Sequence, residues 1–167
     1  MNKIIIIPKK ITRENFSVFG DLISTYNSKS ISINSGYAKR FNCSTNIDVS
    51  RYNGKILTSI FTAKKRAFPM QIDMMEKHPL GSQTFIPMKE TTFLCFVSSP
   101  GEKPEINKIK SFVIPPGMGI NYKAGIWHFP LISTENMNFF ILERKGTGNN
   151  LVIHKFKKHK IILKYEK

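Results

Sequence analysis

Short apolar and β-branched runs, separated by turn residues, recur about every ten positions through most of this 167-residue chain. Strand-length runs at that spacing, with little helical periodicity, predict an all-β sandwich or barrel. The expected strands are Ser30–Asn34, Tyr37–Asn42, Lys55–Ala63, Met70–Lys77, Thr84–Met88 and Thr91–Val97. Ser111–Ile114, Gly119–Tyr122, Ile126–His128, Met137–Glu143 and Leu151–Phe156 follow. Ile4–Ile7 reads as an opening strand stopped by Pro8, because proline cannot continue a ladder. The period changes only in TRENFSVFGDLIST. There Phe16, Phe19 and Ile23 are spaced three and four apart behind Thr12, a capping residue type, which predicts one helix over Arg13–Ser24. Gly20 weakens its last turn. Glu105–Lys108 reads as one further helical turn. No repeat or internal linker divides the chain, so one domain is expected over 1–167. Within it, 1–29 holds the first strand and the helix. Residues 151–167 form a basic tail, read as a final strand or as a segment packed on a partner subunit.

Composition alters this picture little. A hydrophobic fraction of 41%, with 10 glycines and 9 prolines, fits an ordinary globular chain long enough to bury a core without staples. Cys43 and Cys95 lie far apart, and Cys95 inside TTFLCFV reads as a buried free thiol. MNKIIIIPKK has too few consecutive apolar residues for a signal-peptide core or a membrane span, so a cytoplasmic protein without a membrane partner is expected. The formal charge of +15 asks for more thought, because it invites a nucleic-acid reading. Only Arg13, Arg40, Arg51, Arg66 and Arg144 among the 26 basic residues carry the bidentate fork on which base and phosphate recognition draws. The lysines are dispersed apart from Lys64–Arg66 and the tail from Lys155 to Lys160. That pattern argues for a basic surface that attracts small anions, and against nucleic acid as the partner.

Two stretches carry candidate chemistry. Met75–Pro87, MEKHPLGSQTFIP, places Glu76, His78 and Gln83 within eight residues. In extended chain Glu76 and His78 share a face and Lys77 takes the other. Pro79-Leu80-Gly81-Ser82 then turns the chain, so that Gln83 begins a returning strand aimed at the same hollow. A carboxylate, an imidazole and a carboxamide converging there can bind a divalent metal or a small polar ligand. The plainer reading is a hairpin with a hydrogen-bonded histidine. The second stretch, Pro115–Leu131, sets Trp127 and His128 behind Gly125 in a glycine-rich turn.

Together these stretches resemble the paired motifs of the cupin superfamily, small jelly-roll barrels that bind a metal or ligand at their centre. His78 and Gln83 fit the second histidine and the carboxylate position of the first motif, with Glu76 where its first histidine would stand. Gly117, Gly125 and His128 fall at the spacing of the second motif, and Lys123 replaces its proline. The match is closer to one branch, the ureidoglycolate lyases. Their sequences carry runs similar to EKHPLGSQTFIPMK and GINYKAGIWHFPL, an INSG-like segment at Ile33–Gly36, and a late segment like Glu143-Arg144-Lys145-Gly146.

The resemblance implies a cupin-like jelly-roll fold and an elimination that splits (S)-ureidoglycolate into glyoxylate and urea, in allantoin and purine breakdown. It implies a divalent metal on Glu76, His78, Gln83 and His128, nickel first, with manganese, zinc or iron as further choices, and a homodimer. Glu76, Lys123 and Tyr122 are the catalytic candidates, Glu76 serving as ligand or as general base. Asn34, Arg40, Asn121 and Arg144 are the substrate-binding candidates. Most have a plainer reading: a turn residue for Asn34, a packed aromatic for Tyr122, a solvated strand end for Arg40, a rim position for Lys123 and an ion pair with Glu143 or another acid for Arg144. Phe129 stands where family members often have a histidine, and Thr62 where an arginine is common. These two positions leave open a non-catalytic cupin that binds a small anionic metabolite.

Overall fold

A computed structural model describes residues 2–166. In chain order the strands are β1 (Asn2–Ile6), β2 (Lys9–Lys10), β3 (Gly20–Ile23), β4 (Ser30–Ile33), β5 (Ala38–Phe41), β6 (Lys55–Ala63), β7 (Met70–Ile72), β8 (Met74–Lys77) and β9 (Gln83–Pro87). They continue as β10 (Phe93–Ser98), β11 (Lys110–Ile114), β12 (Gly119–Tyr122), β13 (Trp127–His128), β14 (Ile132–Ser133), β15 (Met137–Lys145), β16 (Val152–Lys155) and β17 (His159–Leu163). The α-helix α1 covers only Arg13–Phe16.

Two sheets face each other. One runs β3-β12-β9-β15-β6, and the other runs β16-β8-β13-β10-β11-β2 with β14 beside β10. The core between them takes Phe85, Ile120, Phe139 and Ile141 from the first sheet and Phe93, Cys95, Val97 and Phe112 from the second. A third sheet, β1-β17-β7, covers the back of the second, where Leu94, Phe96, Met75 and Trp127 meet Ile72, Ile161 and Leu163. β10 is therefore covered on both faces, and all six of its residues are buried. This explains why it reads as a continuous apolar run, whereas β15 alternates. The all-β, two-sheet barrel expected from the recurring strand runs is what forms.

The expected helix is shorter than its pattern. Thr12 does cap it, exchanging hydrogen bonds with Asn15 in a capping box. After Phe16 the chain leaves the helix, and Gly20–Ile23 pairs antiparallel with β12 instead. At Gly20 a Cβ would lie 1.9 Å from the Asn121 carbonyl oxygen, so only glycine allows this close approach. Phe16, Phe19 and Leu22 are buried all the same, one from the helix, one from the turn and one from the strand. Packing against a sheet outweighed local period here. The tail supplies β16 and β17, and Ile161 and Leu163 are buried within their own chain.

Candidate metal centre

The centre grows from two neighbouring strands of the second sheet. β8 and β13 run antiparallel with His128 directly opposite Glu76, so both side chains share one face. Their neighbours Met75 and Trp127 point to the back core. Lys77 also goes to the back, donating to the Gly101 carbonyl at 2.6 Å and lying 4.6 Å from the Trp127 ring centroid. His78 resumes the side of Glu76 as the strand ends.

Both imidazoles are oriented by the backbone. His78 Nδ1 lies 2.7 Å from the Asn150 carbonyl oxygen, and His128 Nδ1 lies 3.0 Å from that of Ile126. A carbonyl only accepts, so each Nδ1 carries a proton, and each Nε2 is the ring atom left to meet an ion. Both Nε2 atoms are buried and lack a hydrogen-bond partner. They converge on one carboxylate oxygen, Glu76 Oε1, at 3.9 Å from His78 and 3.6 Å from His128. These separations exceed hydrogen-bond length, yet suit donors sharing one ion at bonds of about 2.0–2.2 Å. Burial, then the nearby His78, pulls the His128 pKa down to about 3, so its ring stays neutral. Burial, followed by the Glu143 charge, pushes the Glu76 carboxyl up, while His78 opposes the shift. Glu76 and His78 keep 20% and 17% of their side-chain surface, whereas His128 keeps 2%, so access comes from the Glu76–His78 side.

The facing sheet adds a row set by register. Gln83 on β9 stands opposite Tyr122 on one side and Glu143 on the other. Gln83 Nε2 donates to Glu143 Oε2 at 3.0 Å, which leaves Gln83 Oε1 buried without a partner. The Tyr122 ring stacks on His128, centroids 4.6 Å apart and 20° between planes. Its hydroxyl instead meets the Cys95 thiol in the core, and burial pushes its pKa well above the ordinary tyrosine value.

Several candidates stand elsewhere for reasons of strand parity. Asn121, adjacent to Tyr122, faces the opposite side. There its amide is used up by Thr84 Oγ1 at 2.8 Å, the Asn46 carbonyl at 3.1 Å and Asp21 at 3.4 Å. Arg144, adjacent to Glu143, likewise faces away and donates to the Arg51 and Thr147 carbonyls, with no acid partner among the described residues. It is gripped by glycines: Cβ atoms added at Gly54, Gly81 and Gly146 would all come within 2.7 Å of its side chain. Arg144 is thus a clamp on three loops, one of them the Pro79–Ser82 turn, and the ion pair expected with Glu143 is absent. The Lys123 ammonium donates to the Ser17 carbonyl outside the cluster. Asn34 and Arg40 are exposed on the β4–β5 hairpin, Asn34 with a left-handed φ of 52° at its turn. No hydrogen bond or ring contact joins either of them to the cluster among the described residues. Phe129 packs in the back core and Thr62 is exposed on β6, so neither alters the donor set.

Two contributors escaped sequence reasoning. Glu143 was seen only as a partner for Arg144, although strand alternation from Phe139 and Ile141 carries it inward. Asn150 holds His78 through its backbone carbonyl and the Leu80 amide through Oδ1 at 2.7 Å, and a backbone contribution leaves no signal in side-chain type.

The residues fit a divalent ion: two buried imidazole Nε2 atoms without a hydrogen-bond partner, a carboxylate within 4.8 Å of both, and on the facing sheet a buried carboxamide oxygen that also lacks one. A family model described as ureidoglycolate lyase matches residues 3–163. A protein named ureidoglycolate lyase from Pseudomonas syringae pv. syringae (strain B728a) is 37% identical over 164 residues, covering 98% of this chain and 95% of that one. One of the same name from Burkholderia mallei (strain NCTC 10229) is 39% identical over 142 residues, covering 84% and 83%. A solved structure of Bacillus subtilis oxalate decarboxylase, concerned with its Mn(II) centres, superposes on 64% of this chain and 26% of that chain. The TM-score of that superposition is 0.40 at 13% identity.

Proposed function

The chain belongs to the ureidoglycolate lyase family and is a lyase, and from that premise we propose that it splits (S)-ureidoglycolate into glyoxylate and urea by a metal-assisted elimination at the barrel centre. The observation that carries the metal reading is the pair of buried, unpartnered Nε2 atoms facing Glu76 Oε1. Glu76, His78 and His128 would hold the ion, with Gln83 Oε1 as a further oxygen donor. A divalent ion bound there supplies Lewis acidity, lowering the pKa of a hydroxyl it coordinates. Nickel is the first choice from the family resemblance, and a mixed nitrogen and oxygen set also suits manganese, zinc or iron.

The chain's own residues divide the remaining work. His78 and His128 spend their Nδ1 protons on backbone carbonyls, so they hold position and do not shuttle protons. Tyr122 walls His128 with its ring and keeps its phenolic proton in the core. Elimination needs a proton taken from the substrate hydroxyl and one given to the departing urea nitrogen. Glu76, whose carboxyl is pushed up by burial and by the Glu143 charge, is the carboxylate at the cluster suited to take that proton and return it. Glu76 thereby takes part in both tasks open to it.

Glyoxylate release from (S)-ureidoglycolate, followed with nickel-, manganese- and zinc-loaded protein, tests the reading. Release well above the spontaneous rate, lost in His78→Ala and His128→Ala, is expected; the spontaneous rate with every metal would overturn it. A homodimer is supported by the exposed apolar residues Ile56 and Ile60 on edge strand β6, and by a β4–β5 hairpin that stands on its own two-stranded sheet. Sedimentation at monomer mass would remove it. The free thiols Cys43 and Cys95 fit a cytoplasmic setting, and no described helix is long and apolar enough to cross a membrane.

A further inference from the structure

Resting on the metal reading above, we propose that Glu143 is a positioning residue that fixes which end of the Gln83 carboxamide faces the metal centre. A carboxamide is nearly symmetric in shape, and its two orientations differ only in what hydrogen bonding they allow. An ionised carboxylate accepts and cannot donate. Glu143 Oε2, 3.0 Å from Gln83 Nε2, therefore admits one orientation; the flipped amide would set oxygen against oxygen. The consequence is visible at the other end of the group, where Gln83 Oε1 is buried and finds no partner in the protein.

Register places the Gln83 side chain on the right face. Glu143, Gln83 and Tyr122 lie side by side across β15, β9 and β12, and the Tyr122 ring stacks on metal-ligand candidate His128. Glu143 is also close enough to Glu76 for their charges to interact. The chain thus offers an ion a neutral oxygen with a negative charge one hydrogen bond behind it. Such outer partners orient metal ligands and raise their donor strength. A cross-strand hydrogen bond with no such role would hold β9 to β15 but would not depend on which end of the amide faces inward.

The test uses the full chain, freed of metal and titrated with Co2+ and Ni2+ by calorimetry, with the visible Co2+ absorption band recorded alongside. Glu143→Gln is isosteric but can donate as well as accept, which frees the Gln83 amide to turn. It should weaken Co2+ binding about tenfold or more and change the band, with the melting temperature little altered. The double variant Gln83→Glu/Glu143→Gln restores the polarity of the pair: the carboxamide now on β15 donates to the carboxylate now on β9, whose second oxygen faces inward. Its Co2+ affinity should return to at least the wild-type level. Wild-type affinity and band in Glu143→Gln would overturn the proposal. So would a loss that the double variant, read at a temperature where it is folded, fails to restore. If the wild-type protein itself binds neither ion, the metal reading falls and this inference falls with it.

Discussion

Removing the Tyr122 hydroxyl should leave turnover intact, although sequence reasoning placed this residue among the catalytic candidates. The ring is 5% exposed, stacked on His128 at 4.6 Å and edge-on to Phe85 at 5.7 Å. Phenylalanine preserves all of these contacts. The change deletes only the interaction of the hydroxyl with the Cys95 thiol. An ordinary intramolecular hydrogen bond contributes about 0.5–1.5 kcal/mol net, and one to sulfur belongs at the low end. At about 2–4 °C per kcal/mol for a domain of this size, the melting temperature should fall by about 1–4 °C. Steady-state glyoxylate release should stay within about twofold of wild type, because general acid–base roles contribute about 10²–10⁴-fold and none is expected here. A fall in kcat of about 100-fold with an unchanged melting temperature would refute the geometry, placing the hydroxyl at the substrate after all. Tyr122→Ala offers the contrast. It strips the wall from His128 and empties an aromatic site in the core, at a cost of about 3–5 kcal/mol, so stability and metal retention should fall together.

Two further outcomes follow from the close approach at Gly20 and from the charge state of His128. Gly20→Ala would push a methyl group to 1.9 Å from the Asn121 carbonyl oxygen, so its destabilisation should reach about 4 kcal/mol or more, read as a urea midpoint or as loss of soluble protein. A wild-type midpoint would mean that β3 does not pack on β12 as described. In the metal-free chain His128 is neutral with its pKa pulled down to about 3, below the unfolded value near 6.5, so the unfolded chain takes up its proton first. Its contribution is therefore complete above about pH 6.5 and is lost as pH falls toward about 3, with a slope of up to about 1.4 kcal/mol per pH unit. The raised Glu76 carboxyl acts in the opposite sense, adding stability at low pH that is lost as pH rises through its folded value. Denaturant unfolding between pH 7.5 and 4.5 should show a shallower fall for His128→Asn than for wild type; equal slopes would contradict a buried neutral ring.

The strands were legible because sheet period survives in the sequence wherever one face is solvated or both are apolar. Lys55–Ala63 and Gly119–Tyr122 have the bounds their patterns suggest. Met70–Lys77 instead breaks at Asp73, where its two halves join different sheets, a division that depends on partners distant in sequence. Local alternation likewise revealed that Glu76 and His78 share a face. It could not say which of Asn121 and Tyr122, or of Glu143 and Arg144, looks inward. Neighbours on a strand always face opposite ways, and the choice is made by register against β9. That parity turns Asn121 and Arg144 away from the cluster. Asn34 and Arg40 lie apart from the cluster for another reason, since they sit on a hairpin that pairs only with itself among the described residues.

The third sheet carries a consequence for synthesis. β1 and β7 have the same single neighbour in it, β17, with β1 parallel and β7 antiparallel to it. Residues 2–6 emerge from the ribosome well before residues 159–163, the one strand that they pair with in this sheet. Until then Met75, Leu94, Phe96 and Trp127 lack part of their outer cover, although they back the wall that carries Glu76 and His128. The metal-bearing wall is thus completed late, and a nascent chain interrupted before β17 would present a sticky flank to chaperones where the finished protein has an interior.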